Sequence, residues 1–250
     1  MILLIDKPAG ITSFDCIRIL RKKLGVRKMG HAGTLDPMAT GLMIIGVGEG
    51  TKKLQNFLKL DKIYEAEILL GVSTDTGDIT GKILKELRIK NYELSEEEIE
   101  NALDGMVGKL ELPVPAYSAI KRGGEPLYRK ARRGEKFESP IKTMEVTSAE
   151  FLSVRILPVY DCRLFLKGVP HSYEGRDLKS SVLAESDTSF KKGGINLPLV
   201  SVRLAVASGT YIRSLAEEFG RRLGIHATLA GLRRTSIGEF RVEDAEKLTS

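Results

Sequence analysis

Cysteine and histidine are scarce in this 250-residue chain. Cys16 and Cys162 lie far apart and His31, His171 and His226 stand singly, so neither a disulfide framework nor a metal-binding cluster is expected. Long apolar runs are lacking too. The start, "MILLIDKPAG", reaches Asp6 and Lys7 before a signal-peptide core can form, and no later stretch approaches a membrane span. The expectation is a cytoplasmic protein without membrane contact. No internal repeat and no linker-like break divides the chain, so residues 1–250 read as a single domain, and 42% apolar residues suffice for a buried core.

Acidic residues are the minority, 33 against 39 basic ones, and the excess is concentrated rather than spread. Six bases fall between Arg18 and Lys28. A second cluster, "KRGGEPLYRKARRGEK" over 121–136, carries seven bases and two acids, with Tyr128 inside it and Tyr117 and Phe137 on its flanks. Either cluster alone is compatible with a solvated helix face. Together, with aromatics nearby, they favour a polyanion partner, nucleic acid above all.

Local patterns predict an α+β fold around a mostly antiparallel sheet, because strands and helices are interspersed without βαβ alternation. "ILLI" reads as a short buried strand, followed by a helix capped by Ser13, with Cys16, Ile17, Leu20 and Leu24 on one face and Gly25 as its stop. "KIYEAEILLG" alternates, which sets Tyr64, Ala66, Ile68 and Leu70 against Glu65 and Glu67. Ser95 and Glu98 form a capping-box pattern. Residues 125–133 suggest another helix ended by Gly134. Three β-rich stretches follow from residue 141, including "VYDCRLFLKG", and a polar excursion lies near 157–196. Thr210 then begins a helix in which Ile212, Leu215, Ala216, Phe219 and Leu223 share a face up to Gly224.

Several motifs fail on spacing. "GVGEGTKK" lacks the arrangement of a phosphate loop, which argues against nucleotide binding. "DTG" at Asp75–Gly77 suits an aspartic protease only if a second chain supplies a facing carboxylate; a turn between strands is the simpler reading. "MGHAGTLDPMATGLMIIGVGEG" is different. An Asp-Pro pair ordinarily marks a turn, but Asp36 has His31 five residues before it, and Gly30, Ala32 and Gly33 suit close approach by another molecule. Arg213 falls in the first turn of its helix, where the macrodipole disfavours a cation, so a nearby anion is expected there. Asp36 is one candidate for that anion.

These residues lie in blocks, among them "LLIDKPAGITSFD", "KMGHAGTLDPMATGLMIIGVGEGTK", "PVPAYSAIKRGGEPLYRKARRGE", "ASGTYIRSLAEEFGRRLG" and "LRRTSIGEF", by which the chain resembles the TruB-type tRNA pseudouridine synthases. The resemblance covers most of the chain and implies the pseudouridine synthase fold, with isomerisation of uridine 55 in the tRNA T arm. It implies Asp36 as nucleophile, Tyr64 as the aromatic that stacks on the base and later takes a proton, and Arg213 as partner of the aspartate. His31 and Tyr211 would lie near the flipped nucleotide, Leu232 would wall the base pocket, and Lys7 with Pro8 would support the site. Residues 115–140 match an insertion that closes over the RNA, with Arg129, Lys130, Arg132 and Arg133 as phosphate contacts. No cofactor, metal or obligatory protein partner is implied, a monomer is expected, and a carboxy-terminal PUA domain is not expected. An RNA chaperone that needs no chemistry and a guide-RNA-directed subunit are the other readings.

Overall fold

Fourteen strands, five helices and two 3-10 turns make up the computed structural model, which describes residues 1–86, 94–159 and 195–248. In chain order, β1 (Ile2–Lys7) is followed by α1 (Ser13–Leu24), β2 (Met29–His31), β3 (Thr40–Val47), a 3-10 turn (Gly48–Lys53), α2 (Leu54–Leu58) and β4 (Lys62–Leu70). Next come β5 (Val72–Thr74), β6 (Ile83–Glu86), α3 (Glu96–Asp104), β7 (Gly108–Pro113), β8 (Lys121–Arg122), β9 (Glu125–Pro126) and α4 (Leu127–Arg132). The described part closes with β10 (Ile141–Val159), β11 (Ile195–Val206), α5 (Ile212–Arg222), β12 (Ala227–Ile237), β13 (Phe240–Arg241) and β14 (Glu246–Lys247).

Ten of the strands form one mixed sheet in the order β14-β1-β3-β12-β4-β11-β10-β7, with β2 added to β3 and β13 to β12. Pairing is antiparallel except between β1 and β14 and between β12 and β3. The α+β expectation therefore holds. β4 shows why these residues make a central strand: Tyr64, Ala66, Ile68 and Leu70 are buried, while Glu65 pairs with Arg203 of the adjacent β11 and Glu67 with Arg155 of β10, one strand further on. Apolar faces of α1, α3 and α5 pack with β4, β11 and β12 into one core cluster.

Helix ends follow capping chemistry, with small departures from the sequence reading. Thr12, not Ser13, caps α1, in a reciprocal box with Asp15. Ser13 is freed for another contact described below. Leu24 is exposed rather than on the buried face, because Gly25 turns the chain left-handed at φ 66° directly after it. The Ser95–Glu98 box is present. α4 starts at Leu127, later than expected, since Glu125 and Pro126 pair back onto β8. α5 likewise begins at Ile212, with Tyr211 as the capping residue. Leu157 through Val159 pair with Leu197 through Ile195, so the ends of the expected excursion are strand; residues 160–194, including most of "VYDCRLFLKG", lie outside the described residues. The DTG segment is a turn, as the simpler reading has it: Asp75 exchanges hydrogen bonds with Lys82 through its backbone N–H (3.0 Å) and its carboxylate (2.7 Å).

Small residues near Asp36 take part in the protein's own packing. A Cβ on Gly30 would meet Leu54 Cδ1 at 3.0 Å, and Ala32 is fully buried. Gly41, at φ +106°, lies against the backbone of Arg234, whose nitrogen would be 2.7 Å from a Cβ at that position. Here β3 and β12 run side by side, with Arg234 in register with Gly41. Only a residue without a side chain permits that approach.

Candidate active site

Asp36 lies in the loop between β2 and β3, and three sets of contacts fix that loop. The Asp36 carbonyl accepts from Ala39 N–H at 3.1 Å, so Asp36–Ala39 is a turn with Pro37 in its second position, as the Asp-Pro pair suggested. Ser13 grips the residue before it: its hydroxyl accepts from Leu35 N–H (2.8 Å) and donates to Leu35 C=O (3.0 Å). Lys7 holds the other side. Its buried ammonium donates to the carbonyls of Pro8 (2.8 Å), Pro37 (3.2 Å) and Ala39 (2.6 Å), which uses all three of its protons. Burial lowers the Lys7 pKa to about 8, against the pull of the Cys16 and Asp36 charges.

Arg213 reaches Asp36 from 177 residues away in sequence. Its Nε lies 3.0 Å from Oδ2 and its Nη2 donates to Oδ1 at 3.3 Å, a two-point engagement that fixes the plane of the carboxylate. The same guanidinium donates to Thr76 C=O (2.9 Å) and Tyr117 C=O (3.1 Å), and buried Asp78 stands 3.9 Å away. One buried cation thus gathers three loops. Its odd place in the first turn of α5 is explained by these acceptors, and the anion is Asp36, as expected.

The Asp36 carboxylate is 30% exposed while the arginine beneath it is 6% exposed, so the group opens to solvent on one side and meets protein on the other. Desolvation pushes its pKa above the ordinary carboxylate range, and Arg213 pulls it back; Asp78 adds to the rise and Lys7 opposes it. The result is a part-exposed carboxylate held at two points by a buried guanidinium.

Tyr64 and Leu232 stand on adjacent strands, with Leu232 opposite Ala66 in the register and Tyr64 two residues earlier. Both are buried, in the same apolar cluster as Leu35 and Met38 from the Asp36 loop. Tyr211 is half-buried at the start of α5; Lys142 Nζ lies 5.6 Å from its ring centre, and burial raises its hydroxyl pKa. His31 ends β2, with a buried Nδ1 that has no hydrogen-bond partner among the described residues. Burial and then the Arg234 charge lower its pKa, so its imidazole is neutral at pH 7. Arg129, Lys130 and Arg132 of α4 and Arg133 after it make no contact with Asp36 among the described residues. Arg129 and Arg132 are exposed, Lys130 is half-exposed, and Arg132 lies over Tyr128 at 5.5 Å. Arg133 is already engaged, bidentate to Glu125 (2.6 and 2.7 Å) and bonded to Glu135 (2.6 Å), which limits it as a phosphate contact.

Sequence reading missed four supports of the site: Ser13, Asp78, the Tyr117 carbonyl and Arg234. Arg234 is almost fully buried and makes no ion pair among the described residues. It donates to Leu42 C=O (2.7 Å) and Gly33 C=O (3.3 Å), tying β12 to both ends of the Asp36 loop. Its signal was present, since strand alternation puts Arg234 in phase with Leu232 on an inward row. Backbone carbonyl acceptors leave no such signal. Among the described residues no three His, Cys, Asp or Glu side chains are placed to share a metal ion.

Comparison with known proteins gives consistent results. The family described as TruB family pseudouridylate synthase (N terminal domain) matches residues 21–163. tRNA pseudouridine synthase B of Xanthomonas axonopodis pv. citri (strain 306) is 38% identical over 240 residues, 96% of this chain and 64% of that protein. The protein of the same name from Opitutus terrae (strain DSM 11246 / JCM 15787 / PB90-1) is 38% identical over 98% of this chain and 83% of its own length. The chain thus spans about two thirds or less of the first relatives, 64% in the Xanthomonas case. In fold it is similar to a chain of a Cbf5-Nop10-Gar1 complex (TM-score 0.61, 24% identity, covering 99% of this chain and 52% of the other). It is also similar to a chain of an H/ACA RNP bound to a substrate RNA containing 2'-deoxyuridine (TM-score 0.59, 22% identity, 98% and 50%). The expected pseudouridine synthase fold and the family resemblance both hold: this chain belongs to the TruB family of pseudouridylate synthases.

Proposed function

We propose that this chain converts uridine to pseudouridine in tRNA, at position 55 of the T arm, with Asp36 as nucleophile. The observation that carries the reading is the Arg213–Asp36 pair: a carboxylate engaged at two points by a buried guanidinium, on a turn that opens to solvent. The reaction breaks the N1–C1′ bond, turns the base, and joins C5 to C1′; C5 gives up its proton and N1 takes one up. Asp36 can form its covalent bond at uracil C6 or at ribose C1′. The flipped base stacks on Tyr64 with Leu232 as its wall, and Tyr64 takes the C5 proton. Atoms balance within the substrate, so the chemistry calls for no redox partner, and the reading is of a cytoplasmic monomer acting on tRNA alone. The test is tritium release from tRNA labelled at uridine C5. Release by the wild type is expected, and its absence with every tRNA overturns the enzyme reading.

The insertion supplies phosphate contacts in the same reading. Because Arg133 is paired with Glu125 and Glu135, Arg129, Lys130 and Arg132 carry the binding. Replacing those three by Gln should weaken tRNA binding and lower the slope of log affinity against log salt by about 2–3. An unchanged slope removes α4 from the interface.

A further inference from the structure

The outer face of α1 is charged and exposed, and the catalytic proposal makes no use of it. Phe14, Arg18 and Lys22 follow one another at i, i+4 and i+8 on the solvent side. Lys23 and, beyond Gly25, Arg27 and Lys28 extend the charge, so residues 13–28 hold six bases and a single acid, Asp15. That acid is spent on the Thr12 cap and on Arg18. Lys28 is held by Glu49 at 3.0 Å, whereas Lys22, Lys23 and Arg27 have no carboxylate partner among the described residues. Phe14 is 56% exposed, and the Arg21 guanidinium lies 5.6 Å from its ring centre. Arg21 also has a buried Nε with no acceptor among the described residues.

An aromatic ring beside unpaired cations is the arrangement that binds nucleic acid by stacking and phosphate contact. Position adds direction. Ser13, the first residue of α1, is bonded at both ends of Leu35, next to Asp36. From that point the twelve helical residues run about 18 Å. The charged face therefore starts at the candidate active site and leads away from it, on an element separate from α4.

We propose that Phe14, Lys22, Lys23 and Arg27 form a second RNA-binding surface, which holds the phosphate backbone of the tRNA whose uridine sits at Asp36. The proposal rests on the function given above. α1 grips the folded substrate at a distance from the reacting base, so it contributes to affinity and not to the chemical step.

The experiment uses the full chain and its Lys22→Gln/Lys23→Gln/Arg27→Gln variant, with unmodified tRNA titrated by filter binding across a salt series and single-turnover tritium release at saturating enzyme. We expect about tenfold or greater loss of affinity at moderate salt, a salt slope lowered by about 2–3, and an unchanged saturating rate. Phe14→Ala should weaken binding with the slope unchanged, because stacking releases no counterions. Wild-type affinity and slope in the triple variant overturn the surface while leaving the isomerase reading intact. Salt-dependent tRNA binding without tritium release by the wild type does the reverse. If the triple variant instead loses binding to anionic phosphatidylserine vesicles and keeps its tRNA affinity, the surface is a membrane contact and the RNA assignment is wrong.

Discussion

Asp36→Asn should abolish tritium release, by at least about 10³-fold, while tRNA affinity stays within about twofold of wild type. The amide keeps the shape of the side chain and can still accept from Arg213, but it cannot form the covalent bond to the nucleotide. The same variant separates an enzyme from an RNA chaperone, since a chaperone depends on binding alone. Full isomerisation by Asp36→Asn would sink the proposed mechanism.

The shifted groups around Asp36 also set the pH response. Burial holds the carboxyl above its ordinary range, so the reactive anion is lost as pH falls through that raised pKa. On the alkaline side the rate should drop as pH passes about 8, where Lys7 gives up the proton that bonds one of its three carbonyls. Stability has the opposite sign. A carboxyl raised by burial favours folding in its neutral form, so its contribution is present at low pH and lost as pH rises through the folded pKa. Asp36→Asn lacks this titration, so acidification should change the stability difference between the two proteins in favour of the wild type. Melting curves from pH 4 to pH 8 check this; a difference that does not change with pH contradicts it.

Gly41→Ala is the second change with a large expected effect, and it acts on the fold. A methyl group there would press into the Arg234 backbone, and the residue would have to hold φ +106°. Overpacking and left-handed strain each cost about 1–3 kcal/mol, so a loss of roughly 3–5 kcal/mol is expected. For a chain of this size that corresponds to a fall in Tm of about 10 °C. Gly48→Ala is the control, because Gly48 also has positive φ (+56°) but faces open space. It should cost about 1 kcal/mol. Equal losses in the two variants would show that the close approach of β3 and β12 does not matter.

The sheet and helices were largely legible in the sequence because their signals are local. Alternation marked β4, the Ser95–Glu98 box marked α3, and the i, i+3, i+4 spacing marked α5, all to within a few residues. Errors fell at ends, where one competing contact decides: Thr12 displaced Ser13 as a cap, and pairing with β8 delayed α4. At the site, the sequence marked Asp36 as suspect and Arg213 as a cation in need of an anion, because dipole and turn chemistry are read from neighbours. The resemblance supplied their roles.

What the sequence by itself determined is thus the set of elements, the basic surfaces and the charged pair's two members as separate oddities. The tertiary structure showed that they meet, as the resemblance implied. It also showed that Arg213 takes the carbonyls of Thr76 and Tyr117 as well as Asp36, and that Gly41 is packed against the Arg234 backbone. The physical reason is the same in each case. Backbone acceptors carry no residue identity, and a contact across 177 positions depends on strand order, which local periodicity does not encode.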